Sequence, residues 1–214
     1  MTLIAERPSE LNITLLATET LPDNPSFLQP RRWTREEYYR LGEAGFFDDE
    51  RVELLNGEIW TLPPQKTPHF SAVEATAEAL LAAFSTGFTA RRHGPITLTD
   101  GTEPEPDVVI VPGTWRDYVE QHPTPSQVRL LVEVSDATLR KDRTTKAEDY
   151  ARAGIADYWI VNLVHRQLEV FRDPLTRPEG ALYRTTQILL PGDSLAPLSA
   201  PDTLVAVADL LPPA

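Results

Sequence analysis

Two carboxylates and one lysine, spaced so that two apolar strands and a helix must carry them, are the residues of this chain best suited to chemistry. Asp107 closes Glu103-Pro-Glu-Pro-Asp107 and opens the apolar run Val108 to Val111, Glu133 interrupts a second run from Leu130 to Val134, and Lys146 follows on a predicted helix. Both runs are apolar and largely β-branched, the pattern of strands buried inside a sheet. An ionised carboxylate in such a place costs several kcal/mol unless a cation or hydrogen bonds compensate it. Three such side chains meeting in space would form a catalytic centre. Asp107 and Glu133 offer hard oxygen ligands for Mg²⁺ or Mn²⁺, which need one or two carboxylates plus water and phosphate oxygens. A cation there would polarise a phosphoryl oxygen and acidify a water, as phosphodiester hydrolysis requires. Lys146 would orient that water or stabilise transition-state charge, and Asp142, one turn earlier, would hold the lysine. The same residues also suit a plainer arrangement, with Glu133 at a sheet edge, Asp107 in a turn and Lys146 on a helix surface.

The elements that must position these groups are legible in outline. Pro106 cannot donate a ladder hydrogen bond, so a strand starts at or just after Asp107. The second strand spans Val128 to Ser135. A helix from about Thr138 to Ala153, capped by Gly154, puts Asp142, Lys146 and Tyr150 along one face at i, i+4, i+8. Upstream, Thr34 and Glu37 have capping-box spacing for a helix to Leu41. Asn56-Gly57 between apolar residues predicts a two-residue hairpin turn within Arg51 to Leu62. Val52, Leu54 and Ile59 then face the core, while Glu53, Leu55, Glu58 and Trp60 share the other face. Glu53 is partly exposed there, unless a helix covers that face and it lines a cleft. Thr67 caps a helix to Phe84 with Phe70, Val73, Ala77, Leu80, Leu81 and Phe84 on its apolar stripe. His69 sits in its first turn, suited to a partly buried edge or to substrate contact. Short strands follow at Ile96 to Thr99, Tyr158 to Val164, Gln167 to Arg172 and Tyr183 to Leu189, with a helical turn at Trp115 to Gln121. The order predicts an α/β or α+β domain with a mixed sheet.

Length and composition narrow the class. A chain of 214 residues holds one domain with a sizeable core. Residues 1–30 contain four prolines and no sustained periodicity, and read as a flexible or strap-like arm before a single domain at 31–214. The absence of cysteine excludes thiolate nucleophiles and cysteine-held zinc, and fits a reducing compartment. Residues 1–30 resemble no signal peptide and no run is long enough to cross a bilayer, so the expected location is cytoplasmic, with no membrane partner. The net charge of −12 opposes long-range attraction to a polyanion and argues against a DNA-coating role. Of the basic clusters, Arg91, Arg92 and His93 read as solvated surface, whereas Arg140, Lys141 and Arg143 adjoin the candidate centre and suit phosphate contacts as well as solvent. Phosphate-loop, dinucleotide, H-E-x-x-H and G-x-S-x-G motifs are all missing, and the four histidines show no zinc-ligand spacing.

The segments Glu-Pro-Glu-Pro-Asp107-Val-Val, Leu-Leu-Val-Glu133-Val-Ser135, Lys141-Asp142-Arg-Thr-Thr-Lys146-Ala-Glu-Asp-Tyr150-Ala-Arg-Ala-Gly154-Ile and Tyr158-Trp-Ile-Val together resemble the Uma-type family of restriction-endonuclease-like proteins, within the PD-(D/E)XK nuclease superfamily. Arg51-Val-Glu53-Leu-Leu-Asn-Gly57-Glu and the Pro68-His69 helix extend the resemblance over about Trp33 to the C-terminus. It implies a restriction-endonuclease-like mixed β-sheet core flanked by helices, with an N-terminal hairpin, and a Mg²⁺- or Mn²⁺-dependent endonuclease acting on DNA. In that likeness Asp107 matches the PD aspartate and Glu133 the second acidic position. Ser135 stands where the superfamily usually has its lysine, and Lys146 on the following helix matches the displaced lysine. Glu53 matches an upstream glutamate that assists as metal or water ligand. Apart from the likeness, the positions of Asp142, Tyr150 and His69 beside these residues suit supporting roles. Asn56 and Asn162 depart from acidic residues common at those positions. Double-strand cleavage needs two centres, which suits a homodimer; no residue points to a particular protein partner. The alternative is a nuclease-fold protein that binds a protein or nucleic acid without cutting it.

Overall fold

The central strands form because their residues are apolar on both faces and so must be covered twice. In the computed structural model, which describes residues 29–213, β4 (Val108–Pro112), β5 (Leu130–Ser135) and β6 (Asp157–Asn162) are buried along nearly their whole length. They lie inside a six-stranded sheet completed by β3 (Phe88–Arg92), β7 (Gln167–Arg177) and β8 (Gly180–Leu189), in the order β3-β4-β5-β6-β7-β8. β5 and β6 run parallel and the other neighbours antiparallel, which makes the sheet mixed. The expected α/β class holds. The arm expected at residues 1–30 falls almost wholly outside the described residues.

Alternation along the strands divides the core in two. Val108, Ile110, Val132, Val134, Trp159 and Val161 pack on one face with α2 (Thr67–Phe84). Val109, Val111, Leu131, Tyr158 and Ile160 pack on the other with the helical segment after β5. That segment is not the uniform α-helix expected over 138–153. It runs as α3 (Leu139–Lys141), a π-helical turn (Asp142–Lys146) and α4 (Ala147–Arg152), with Gly154 in the left-handed region at its end. π-helical turns are rare and concentrate at functional sites.

The capping box at Thr34 and Glu37 forms at the head of α1 (Arg35–Glu43). β1 (Val52–Leu55) and β2 (Glu58–Thr61) make the hairpin, a two-stranded sheet apart from the main one. Asn56 at φ 52° and Gly57 at φ 74° supply the two positive-φ positions of its turn. A Cβ added at Gly57 would stand 2.7 Å from the Cβ of Arg32. Gly57→Ala is therefore expected to cost about 1–2 kcal/mol of stability in urea denaturation, from the left-handed backbone alone. An unchanged midpoint would show that the turn relaxes at no cost.

Several expectations are corrected. α2 has Lys66 as its N-cap, without a side-chain cap bond, and Thr67 is already helical. Phe70 lies off the buried stripe, 52% exposed, while Ala72, Thr76 and Ala83 join it. Residues 96–99 form no strand. Ile96 and Leu98 donate to Pro104 and Thr102, but only one isolated bridge, Thr99 to Thr102, results. β3, unanticipated, is an edge strand whose half-buried residues lack a clean period, with arginines at its end. β7 continues past Arg172 through Pro174 to Arg177, where β6 no longer pairs with it and β8 alone does.

Candidate active site

Asp107 lies at the start of β4 and Glu133 at the middle of β5, on the sheet face that the helical segment covers. The Asp107 backbone N–H points to Glu133 Oε2 at 3.4 Å, and Asp107 Oδ2 accepts from the Val134 N–H at 2.8 Å. Lys146 comes down from the π-helical turn and places its Nζ 2.9 Å from Glu133 Oε1 and 3.2 Å from Glu53 Oε2. One turn further, Tyr150 donates its hydroxyl to Glu133 Oε1 at 2.6 Å. Glu53 is fully buried, which settles the expectation left open for it: its face of the hairpin is covered, and it lines the cleft. Its carboxylate also takes Lys141 Nζ at 2.9 Å and the Glu105 N–H at 3.2 Å. His69 Nε2 lies 3.1 Å from Asp107 Oδ1, and His93 Nδ1 3.3 Å from the same oxygen. The cleft above these groups has a volume of about 170 Å³.

Charge is unevenly supplied. Four buried carboxylates, Glu53, Asp107, Glu133 and Asp142, line the cleft beside two ammonium groups, of which Lys141 pairs with Glu53 and Lys146 with Glu53 and Glu133. Burial opposes the ammonium of Lys146, but Glu133, Glu53 and Asp142 outweigh it and hold the lysine charged. Glu133 bears the shortfall. Burial, with Asp142 and Asp107 close by, lifts its carboxyl well above the usual range even against Lys146. Burial also works against Asp107 as an anion, yet the bonds from His69, His93 and Val134 keep it low. For Glu53 burial is likewise outweighed, by Lys146 and Lys141, so it stays ionised.

A family model described as "Putative restriction endonuclease", Uma2, matches residues 35–208. The chain belongs to the Uma2 family. No curated protein matches this Uma2-family chain. A solved structure from Anabaena variabilis ATCC 29413, described as "a putative nuclease belonging to DUF820", is similar at TM-score 0.60 and 14% identity, over 83% of this chain and 96% of that one. At that identity the likeness shows the shared fold.

Of the residues singled out in the Uma2-family sequence, Asp107, Glu133, Lys146, Glu53, Tyr150 and His69 come together. Asp142 is buried beside them but does not hold the lysine as expected. Its Oδ2 accepts from Ser135 Oγ at 2.6 Å and Thr138 Oγ1 at 2.7 Å, which ties the start of the helical segment to the end of β5. Lys141 is a counter-ion of Glu53, and Arg143 makes a bidentate pair with Glu169 at 2.6 and 2.7 Å, away from the cleft. Arg140 is exposed. His93 and Glu105 are additions. His93 sits in the left-handed region at φ 50°, just past a strand end that carries no sequence signal. Glu105 lines the cleft and pairs with Arg51 at 3.1 Å. The two departures from the family pattern fit their surroundings: Asn56 donates to both oxygens of Asp149 at 3.0 Å and Asn162 to Glu169 at 2.5 Å, where a second carboxylate would repel.

Among the described residues, no group of three or more histidine, aspartate or glutamate side chains is arranged to hold a cation unaided. The donor chemistry nevertheless fits a hard divalent ion. Glu133 Oε2 receives only the long 3.4 Å contact, the local charge is in excess negative, and Mg²⁺ takes one or two carboxylates with water for the rest. No helix among the described residues is long and apolar enough to cross a membrane.

Proposed function

We propose that this chain is a divalent-cation-dependent nuclease that hydrolyses DNA phosphodiester bonds, with Asp107 and Glu133 as the residues that hold Mg²⁺ or Mn²⁺. The observation that carries the reading is the adjacency of two buried carboxylates on one sheet face with a lysine ammonium 2.9 Å from one of them. A cation bound there would polarise a phosphoryl oxygen and acidify water. The chain's own groups do the rest. Lys146, fixed between Glu53 and Glu133, presents positive charge where the phosphorane-like transition state gathers negative charge, at no reorganisation cost. Tyr150 and the Val134 N–H fix the orientations of Glu133 and Asp107. Lys141 keeps Glu53 ionised, and so keeps Lys146 anchored on its second side.

The test pairs Mn²⁺ binding by calorimetry with cleavage of plasmid and oligonucleotide DNA. Wild type is expected to bind Mn²⁺ saturably, to cut in its presence and to stop in a chelator; Asp107→Asn, folded by circular dichroism, is expected to do neither. Equal Mn²⁺ binding by the two proteins would remove the site. A second reading, a nuclease-fold protein that holds a partner without cutting, is favoured by the net charge of −12. Saturable Mn²⁺ binding without cleavage of any nucleic acid would support it.

A further inference from the structure

One wall of the cleft is unlike the rest. Trp60 stands on β2 directly across from Glu53, the residue that anchors Lys146, and remains 42% exposed. Lys141 Nζ lies over its ring at 4.4 Å from the centroid. Leu62, Pro63 and Pro64 continue this side of the cleft, so a stiff apolar strip borders a basin otherwise lined by polar and charged groups. Holding a phosphate needs no apolar strip. A nucleotide does, since it presents charge at one end and a flat π face at the other. Tryptophan gains more from stacking a base than from contact with water, and a tryptophan backed by an ammonium has one side already occupied.

The cations of the cleft point the same way. Affinity for duplex DNA comes mainly from neutralising phosphates with free lysine and arginine. Here Arg51 is paired with Glu105, Lys141 with Glu53, and Lys146 with both Glu53 and Glu133, while the exposed Lys66 at the rim takes part in no ion pair among the described residues. With the paired charges committed, and a chain carrying −12 overall, backbone contacts alone leave binding weak, whereas base stacking adds affinity that does not depend on charge. In an intact duplex the bases are stacked on one another and paired, so none can lie on Trp60.

We infer that the cleft receives an unpaired nucleotide with its base stacked on Trp60, so that the substrate is single-stranded or locally opened nucleic acid rather than intact duplex. This rests on the nuclease reading for its chemistry, but binding tests it separately. Fluorescence anisotropy in Ca²⁺ is measured with a labelled oligodeoxythymidylate, a duplex of equal length and an abasic oligomer, on wild type, Trp60→Ala and Trp60→Phe. Wild type binds the single strand at least about tenfold more tightly than the duplex. Trp60→Ala loses about tenfold on the base-bearing strand and nothing on the abasic one, and Trp60→Phe retains most of the affinity. Equal losses on both strands would make Trp60 merely structural, and equal affinity for duplex would overturn the substrate class. Failure to bind any of the three probes overturns it too. Cleavage in Mn²⁺ separates the two ideas: a wild type that cuts duplex as fast as single strand, indifferent to Trp60→Ala, sinks this inference and leaves the nuclease standing. Trp60-dependent binding without any cutting does the reverse.

Discussion

Lys146→Ala is expected to lower the single-turnover rate of Mn²⁺-dependent cleavage by about 10²–10³, the usual consequence of removing a preorganised charge from a transition state. It is also expected to cost roughly 3–5 kcal/mol of folding stability, because the substitution leaves buried Glu133 without a cation and Glu53 with Lys141 alone. The two effects must be told apart. Glu133→Gln combined with Lys146→Met removes the uncompensated charge of Glu133 and restores an unbranched chain, so it recovers part of the urea midpoint while remaining inactive. Undiminished cutting by Lys146→Ala would assign the activity to a contaminant, and an unchanged midpoint would mean that the ammonium compensates nothing in the fold.

Arg172→Ala provides the contrast, a loss of similar size with no chemical consequence. Asp157 at the start of β6 is fully buried; it accepts from Arg172 at 2.7 and 3.2 Å, from Trp159 Nε1 at 2.8 Å and from the Leu198 N–H at 2.8 Å. Arg172 also bonds the Ala196 carbonyl at 2.8 Å, so this pair fastens the C-terminal segment to the sheet. Truncation leaves an unpaired buried carboxylate, at roughly 3–5 kcal/mol. Chemical denaturation should register that loss, whereas cleavage per folded molecule, assayed well below the melting temperature, should match wild type. A parallel loss of activity at low temperature would show that the cleft depends on this distant pair.

Much of this architecture is written in local patterns. β4 and β5 are legible because apolar runs of strand length admit few other structures, and the hairpin because Asn56-Gly57 favours one turn type. The convergence of Asp107, Glu133 and Lys146 is legible only through the resemblance, since spacing alone equally suits turn, edge and surface positions. What escapes is long-range in origin. Glu53 alternates like an exposed residue, and docking of the hairpin against the loop at residues 101–105 and against Lys141 and Lys146 of the helical segment buries it. β3 is an edge strand ending in arginines, so neither period nor polarity marks it, and His93 at its end is hidden with it. The π-helical turn has no propensity signature. Its first residue, Asp142, accepts from Ser135 at the end of β5 and from Thr138 one turn earlier.

The hairpin is a small sheet of its own, tethered to the loop at residues 101–105 by backbone bonds that include Gly57 to Gly101 and Glu103 to Leu54. Its first strand is buried throughout, and the bond from Asn56 to Asp149 together with the pairs of Glu53 with Lys141 and Lys146 bind it to the helical segment as well as to that loop. The hairpin supplies one of the two counter-ions of Lys146 and the strand that carries Trp60. The charge balance around Lys146 therefore depends on how an element outside the six-stranded sheet is seated.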